Sequence, residues 1–302
     1  MSLTIEVDLS WMNESYSPFF NPNINSSTMI PSSVHLGGSP NPTARLPIVD
    51  LDAPDRASTI REACVEYGFF YLVNHGVDQE LVESVLEHSR KFFSLPLDRK
   101  NQLLRNHHRG YTPLFSENLD PSSSSKGDSK ESFYIGPLEG DTLNQWPPPD
   151  LLPSWRITME AYYEKLLCAG KKLVSVIALA LNLDEDYFEK IGALVSPDGF
   201  LRLLHYPGDC TEEMIGASEH SDYGMITLLM TDGVPGLQVC KEKDKQPRVW
   251  EDVLHVKGVQ VHETRKYTTR KYTTRHDCQG VHCEHRRYDG EVDKLLISIN
   301  SA

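Results

Sequence analysis

The sequence predicts an α+β fold in which helices come first and a β-sandwich or barrel follows. Amphipathic segments with helical spacing lie between about residues 55 and 183. From about Phe200 the pattern changes to short apolar segments that glycine and proline separate, which is typical of a strand meander. Helices followed by a run of strands indicate an α+β chain whose strands form a sandwich or barrel.

Two short strands and two helices are predicted at the start of the patterned region. The strands are residues 46–51 and the aromatic and β-branched run 69–73. The first helix follows Asp55 and carries apolar residues at helical spacing, and Asp78 can cap the second. Pro96 ends the second helix because proline lacks the N–H that a helix interior needs.

A long amphipathic helix is predicted before the strand meander. It starts at residues 153–154, where proline and serine stand together, and ends near Leu183. Strands are then predicted at residues 201–206, 226–230, 236–240 and 249–253. The charged segment 241–245 joins the last two strands and is interpreted as a solvated hairpin turn.

These patterns divide the chain into five segments. Residues 1–45 are rich in Ser, Asn and Pro and are predicted to be a disordered extension. Residues 46–150 form the N-terminal region, and residues 151–195 contain the long helix that links it to the core. Residues 196–255 form the strand core, which looks incomplete, and residues 256–302 form a divergent tail.

The composition excludes several classes of protein. The 302 residues include 30 basic and 43 acidic side chains, which gives a formal net charge of −13. Nucleic acids and anionic membranes are bound by basic surfaces, so neither partner is expected. No apolar run approaches the ~20 residues that span a bilayer. Six cysteines without a CxxC pair, and a start without signal or transit features, indicate a cytoplasmic protein.

His220 and Asp222 are the first candidates for chemistry. Residues two apart on a strand share a face, so this imidazole and carboxylate can bind one metal ion from a single strand end. With one distant histidine they would form the 2-His-1-carboxylate triad of non-haem Fe(II) oxygenases, which leaves coordination positions open. The spacing by itself is common, and its ordinary interpretation is a hydrogen-bonded surface pair.

The surrounding sequence makes the metal interpretation specific. Residues 219–224 read EHSDYG and run into ITLL at 226–229. Residues 204–207 read LHYP, and residues 68–77 read GFFYLVNHGV. In order and spacing these motifs closely resemble the plant-type, isopenicillin N synthase-like Fe(II)/2-oxoglutarate-dependent dioxygenases. The resemblance covers about residues 46–255, and the KESF segment that begins at Lys130 resembles the part of the family that approaches the active site.

The resemblance implies a fold, a reaction and a set of site residues. The fold would be a double-stranded β-helix, the cupin-like jelly roll, behind a helical N-terminal region. The enzyme would be an oxidoreductase that uses Fe(II), 2-oxoglutarate and O2 to hydroxylate or demethylate a small organic molecule, with ascorbate as a further candidate cofactor. Succinate and CO2 would be released. His220 and Asp222 would bind iron, and Tyr206 would contact 2-oxoglutarate, whereas Leu204 stands where the family has asparagine.

The resemblance weakens beyond about residue 255. Family members continue with apolar strands that carry a distal His-Arg and then an Arg-x-Ser, whose arginine binds the far carboxylate of 2-oxoglutarate. Here residues 265–275 contain the sequence Arg-Lys-Tyr-Thr-Thr twice. His276 and Arg287 stand close to the expected positions, but Asp289 replaces the serine and would repel the co-substrate.

Two interpretations of the chain therefore stay open. In the first, His276 is the third iron ligand and the chain is an active oxygenase. In the second, the third ligand and the arginine clamp are missing, and the chain is a catalytically inactive, truncated relative. The cysteines and histidines of residues 276–285 have the composition of a zinc site. They crowd into one short segment, so a disordered tail is the favoured interpretation there.

Overall fold

The computed structural model describes residues 2–10, 42–118, 127–140, 143–195, 198–208, 215–220, 225–240, 247–254, 268–272 and 294–298. Its α-helices are α1 (Arg56–Glu66), α2 (Gln79–Phe93), α3 (Leu97–Lys100), α4 (Trp155–Ala180) and α5 (Tyr187–Lys190). Its strands are β1 (Ser2–Ser10), β2 (Thr43–Ala44), β3 (Ile48–Asp50), β4 (Phe69–Val73), β5 (Gly110–Thr112), β6 (Glu131–Ile135), β7 (Asp198–Tyr206), β8 (Ile215–His220), β9 (Ile226–Thr231), β10 (Leu237–Cys240), β11 (Trp250–Val253), β12 (Thr268–Tyr272) and β13 (Lys294–Ser298).

Two sheets carry these strands. The large sheet has the order β3-β4-β13-β9-β1-β7-β6-β5, and the small sheet has the order β2-β11-β10-β12-β8. The pairs β3–β4 and β2–β11 are parallel, and the other pairs are antiparallel. Helices followed by two mainly antiparallel sheets confirm the α+β prediction.

The predicted helices form where the sequence placed them. α1 follows Asp55 and ends just before Gly68, whose φ of 72° continues the chain in a left-handed turn. α2 follows Asp78 and ends before Pro96. α4 begins directly after Ser154. No helix in the described part of the chain has the length and apolar character needed to cross a membrane.

The main core lies between the helices and the large sheet. Phe92 of α2 packs edge-on against Phe133 of β6, with ring centroids 4.7 Å apart. Trp155, the first residue of α4, contacts Phe133 at 5.2 Å. Arg61 of α1 donates to the carbonyl of Ala180 at 2.9 Å and so ties α1 to the end of α4. These contacts hold the helical region against the large sheet, which carries Tyr206.

The N-terminal segment corrects one sequence-based expectation. The composition of residues 1–45 predicts a disordered extension, yet Ser2–Ser10 forms β1, which lies between β7 and β9 in the large sheet. The physical reason is visible in the sequence, because residues 2–10 alternate strictly between polar and apolar types, the period of a strand. Thr43–Ala44 also forms a short strand, and residues 11–41 lie outside the described residues.

Two segments of the divergent tail take part in the sheets. β12 pairs with β8 and β10 in the small sheet, and β13 pairs with β4 and β9 in the large sheet. The boundary drawn at residue 255 therefore does not end the strand core. The rest of the tail, which includes the 276–285 Cys/His cluster, lies outside the described residues.

Candidate active site

Tyr206 ends β7 on the side of the large sheet that meets the small sheet. The side chain is buried, and it forms one apolar cluster with Leu204 of the same strand and Ala217 of β8. Leu204 and Tyr206 are two apart and share a face, as strand geometry requires. The cluster therefore joins the end of β7 to the strand that carries His220.

His220 is the last residue of β8 and is half-buried. Its Nδ1 lies 2.7 Å from the carbonyl oxygen of Ser218, two residues earlier on the same strand. A carbonyl can only accept, so Nδ1 donates its proton, and the ring lone pair is on Nε2. An imidazole held in this tautomer suits a metal ligand, since ligating histidines donate their other ring nitrogen to a fixed acceptor.

An irregularity in the small sheet lies beside His220. Ala217 pairs with residue 271 and His220 with residue 269, so three steps along β8 match two along β12. A bulge of this kind re-aims the residues that follow it, and it brings His220 to the face of Ala217. Ala217, which packs with Tyr206, and His220 thus share one face of β8.

Of the residues predicted to bind iron or 2-oxoglutarate, the structure describes Tyr206 and His220. Asp222, His276 and Arg287 lie outside the described residues. Within the ranges that the structure describes, no three His, Cys, Asp or Glu side chains cluster in a way that could hold a metal ion. The structure therefore links Tyr206 to β8 through Ala217, three residues before His220, and the full ligand set stays a prediction.

The sequence did not predict a buried polar cluster in which Asp128 and Lys130 contact Ser218 of β8 or each other. Asp128 is fully buried, and its Oδ1 accepts from the Ser218 backbone N–H at 3.1 Å and from the Ser218 hydroxyl at 2.7 Å. Lys130 donates to Asp128 Oδ2 at 2.8 Å. Burial, with the charge of Arg202, lowers the pKa of Lys130, although the carboxylates nearby oppose this. The signal in the sequence was the charged run at 128–131 directly before an apolar strand pattern.

Glu117 completes the charge balance of this cluster. Its carboxylate pairs with Arg202 and Arg105 and lies 3.6 Å from Lys130 Nζ, and the Tyr134 hydroxyl donates to it at 2.8 Å. Burial alone would raise the pKa of Glu117. The charges of Arg202 and Lys130 and the hydrogen bond from Tyr134 outweigh burial, so its pKa lies below the ordinary value. The cluster therefore holds opposite charges in close contact.

A second buried carboxylate, Glu131, anchors the end of β7. Its Oε1 lies 2.7 Å from Nδ1 of His205, the residue before Tyr206. Its Oε2 accepts from Lys100 at 2.8 Å and from the Tyr111 hydroxyl at 2.5 Å. Burial favours a raised pKa for Glu131, but the hydrogen bonds from His205, Lys100 and Tyr111 outweigh it and lower the pKa. These bonds fix the strand that positions Tyr206.

Two sequence families match the chain. The family described as the N-terminal region of non-haem dioxygenases in morphine synthesis matches residues 46–149. The 2OG-Fe(II) oxygenase superfamily matches residues 197–289, a span that reaches past the boundary at residue 255 and includes His276 and Arg287. Both matches agree with the motifs and with the order of helical and strand regions.

Individual relatives extend this likeness over most of the chain. Kihadalactone A synthase LFS from Citrus sinensis is 38% identical over 74% of this chain and 72% of its own length. Azadirone synthase LFS from Melia azedarach is 36% identical over 72% of this chain and 70% of its own length. A 2-oxoglutarate-Fe(II) type oxidoreductase from Aspergillus fumigatus is 34% identical over 67% of this chain and 64% of its own length.

Solved structures with the same fold include JOX2 in complex with 2OG, Fe and JA, with a TM-score of 0.66 and 25% identity over 87% of this chain and 76% of its own. A 2OG-Fe(II) oxygenase family protein from Caulobacter crescentus has a TM-score of 0.65 and 23% identity, over 85% of this chain and 87% of its own. These neighbours confirm the jelly-roll expectation, and the family match with the JOX2 complex agrees with the expected pair of Fe(II) and 2-oxoglutarate. The chain therefore belongs to the Fe(II)/2-oxoglutarate-dependent oxygenase family.

Proposed function

We propose that this chain is an active oxygenase that hydroxylates or oxidatively demethylates a small organic molecule. In that reaction one O2 oxidises 2-oxoglutarate to succinate and CO2 and places one oxygen atom on the substrate. The observation that carries the proposal is the bond between His220 Nδ1 and the Ser218 carbonyl, at 2.7 Å. With Nδ1 donating, the ring lone pair is on Nε2, the nitrogen that would bind the metal.

Three residues carry the proposed chemistry. His220 and Asp222 would hold Fe(II), which when bound supplies coordination sites for 2-oxoglutarate and O2 and the means to oxidise the substrate. Tyr206 would contact 2-oxoglutarate. Because Leu204 offers no side-chain hydrogen bond, recognition of the co-substrate from this end of β7 falls to Tyr206. The buried cluster of Leu204, Tyr206 and Ala217 excludes water on that side.

The relatives suggest where to look for the substrate. The two plant relatives at 38% and 36% identity are named as synthases of kihadalactone A and azadirone. We propose that substrates be sought first among the precursors of these two compounds. Release of succinate that depends on the added compound would identify a substrate.

The first test is anaerobic addition of Fe(II) and 2-oxoglutarate to the purified chain. Chelation of the keto acid by iron gives a visible charge-transfer band, which is expected to appear and saturate. His220→Ala is expected to abolish the band, whereas His88→Ala, at a half-buried histidine of α2, should leave it intact. Folded wild-type protein that gives no band would instead establish the inactive, truncated relative.

A further inference from the structure

We infer that Asp128 and Ser218 are positioning residues for His220, and that they set the orientation of its imidazole for the metal. The inference rests on the proposed function, because it takes His220 as an iron ligand. Asp128 belongs to the segment before β6, which is far from β8 in the sequence. Neither residue would contact iron or substrate, so both act through His220.

Ser218 is held on both sides of its α-carbon. Its N–H and its hydroxyl both donate to Oδ1 of Asp128, at 3.1 and 2.7 Å. Its carbonyl accepts the proton on Nδ1 of His220 at 2.7 Å. A rotation of the Ser218 backbone would therefore break the bonds to Asp128 and would move the carbonyl oxygen that holds the imidazole. The Asp128 carboxylate thus fixes the Ser218 carbonyl, and that carbonyl fixes the His220 imidazole.

The anchor itself is rigid. Asp128 is 0% and Ser218 is 1% exposed, so water does not compete for these hydrogen bonds. The Asp128 N–H donates to the carbonyl of Glu117 at 2.7 Å, and Lys130 neutralises the carboxylate at 2.8 Å. Separating a buried carboxylate from its charge and hydrogen-bond partners is costly, so these contacts hold Asp128 in this position. Its geometry can therefore be transmitted to β8.

The irregularity in β8 explains why the bonds from Asp128 matter for the position of His220 and not only for stability. Between Ala217 and His220 the ladder to β12 changes register, so regular sheet hydrogen bonding does not determine the backbone there. Ser218 lies within this stretch. The bonds from Asp128 replace the regular ladder as the constraint on the backbone that precedes His220.

The experiment compares two buried serines. Ser218→Ala removes one 2.7 Å hydroxyl bond, and Ser89→Ala on α2 removes another of the same length, from the Ser89 hydroxyl to the Val85 carbonyl. Co(II) is titrated anaerobically into each apoprotein with 2-oxoglutarate present, and the visible d–d bands and the dissociation constant are recorded. Urea unfolding of each variant measures stability.

Ser218→Ala keeps the carbonyl that holds His220 but loosens the backbone that carries it, so Co(II) binding is expected to weaken about 10-fold, the lower end of outer-partner effects, and the d–d bands to shift. Ser89→Ala should lose comparable stability and bind Co(II) as wild type does. Ser218→Thr, which keeps the hydroxyl, should restore the affinity. In an Asp128→Ala background, which lacks the acceptor, Ser218→Ala should have little further effect, because the hydroxyl acts through the Asp128 carboxylate.

The outcomes separate the two proposals. Suppose that the wild-type protein binds Co(II) and that Ser218→Ala binds it with the same affinity and the same d–d bands. That result would overturn the positioning role alone and leave the proposed function in place. Folded wild-type protein that binds no Co(II) would overturn both. If Ser218→Ala does not fold, Ser218→Cys, whose thiol is only a weak donor, takes its place with the same expected direction of change and the same overturning result.

Discussion

His205 and Glu131 link the ends of β7 and β6 through a buried hydrogen bond of 2.7 Å between Nδ1 and Oε1. The two residues also lie opposite each other in the antiparallel ladder of these strands. Because His205 immediately precedes Tyr206, the bond fixes the strand end that is proposed to contact 2-oxoglutarate. The same carboxylate binds Lys100 at 2.8 Å, so one buried acid joins three parts of the fold.

Glu131→Gln is expected to destabilise the protein strongly. The substitution leaves the ammonium of Lys100, whose side chain is 9% exposed, as an uncompensated buried charge. Breaking a buried ion pair by removing one partner typically lowers the free energy of unfolding by about 3–5 kcal/mol. Urea unfolding measures the change.

Glu160→Gln is the matched control for Glu131→Gln. Glu160 pairs with Arg156 at 2.7 Å, but the two side chains are 29% and 54% exposed. Exposed pairs of this kind contribute at most about 1 kcal/mol. Equal losses of stability in the two variants would show that Glu131 does not hold a buried charge in place.

His75 is expected to make the protein less stable as pH falls below neutrality. Burial lowers the pKa of His75 from 6.5 to about 4, so the folded state stays neutral while the unfolded state takes up a proton. Its contribution is therefore fully retained above pH 6.5 and is lost progressively between pH 6.5 and about 4. The total loss is on the order of 3 kcal/mol.

His75→Gln removes this titration and should flatten the pH dependence. Glutamine still offers an acceptor for the Val77 N–H, which His75 Nδ1 now accepts at 3.2 Å. The measurement is urea unfolding at about pH 7.5, 6 and 5 for both proteins, values that bracket the titration. His88→Gln, at a half-buried position, should change the slope much less. Parallel curves for wild type and His75→Gln would contradict the lowered pKa.

Val7→Pro is expected to disrupt the large sheet. Val7 lies in β1, opposite Leu201 on one side and Leu228 on the other. Proline lacks the N–H that an interior strand donates, so it is tolerated only at sheet edges. The variant should unfold at a lower urea concentration than the wild type. It should also aggregate through the exposed edges of β7 and β9. Val7→Thr keeps the N–H and the branched side chain and should stay monodisperse in size-exclusion chromatography. Identical behaviour of the two variants would show that β1 is not an interior strand of the large sheet.

Local patterns in the sequence predicted much of the fold. Asp55, Asp78 and Pro96 mark helix boundaries that the structure confirms, although neither aspartate side chain makes the capping hydrogen bond that such a residue can make. The alternation of residues 2–10 was equally local, but a surrounding Ser- and Asn-rich composition concealed it. The tail strands β12 and β13 were not predictable, since their pairing depends on distant strands that complete the sheets.

In the candidate site, too, local motifs could be predicted from the sequence and long-range contacts could not. The motif around His220 and the LHYP segment around Tyr206 could be recognised from residue types alone. The link between Asp128 and Ser218 could not be recognised in this way, because the two residues are 90 apart in the sequence and meet only through the fold. Charged residues before an apolar strand do not reveal which backbone groups they will bind.

Gly127 makes the placement of Asp128 possible. Its φ is +78°, in the left-handed region that favours glycine. A Cβ at this position would lie 2.5 Å from the carbonyl oxygen of Phe115 and 2.8 Å from that of Glu117. Both obstacles are backbone atoms, so they cannot move aside as a flexible side chain would. The turn that brings Asp128 to Ser218 therefore requires glycine.

Gly127→Ala is expected to lower the free energy of unfolding by about 3 kcal/mol or more, since backbone strain and a steric clash act together. Gly140→Ala is the matched control, because Gly140 has a φ of +66° and open space around its Cβ. That variant should lose only the ~1–2 kcal/mol of the left-handed conformation. Urea unfolding compares the two, and Co(II) titration should show weakened binding in Gly127→Ala alone. Equal effects of both substitutions on stability and on metal affinity would mean that the 127–130 segment does not support β8.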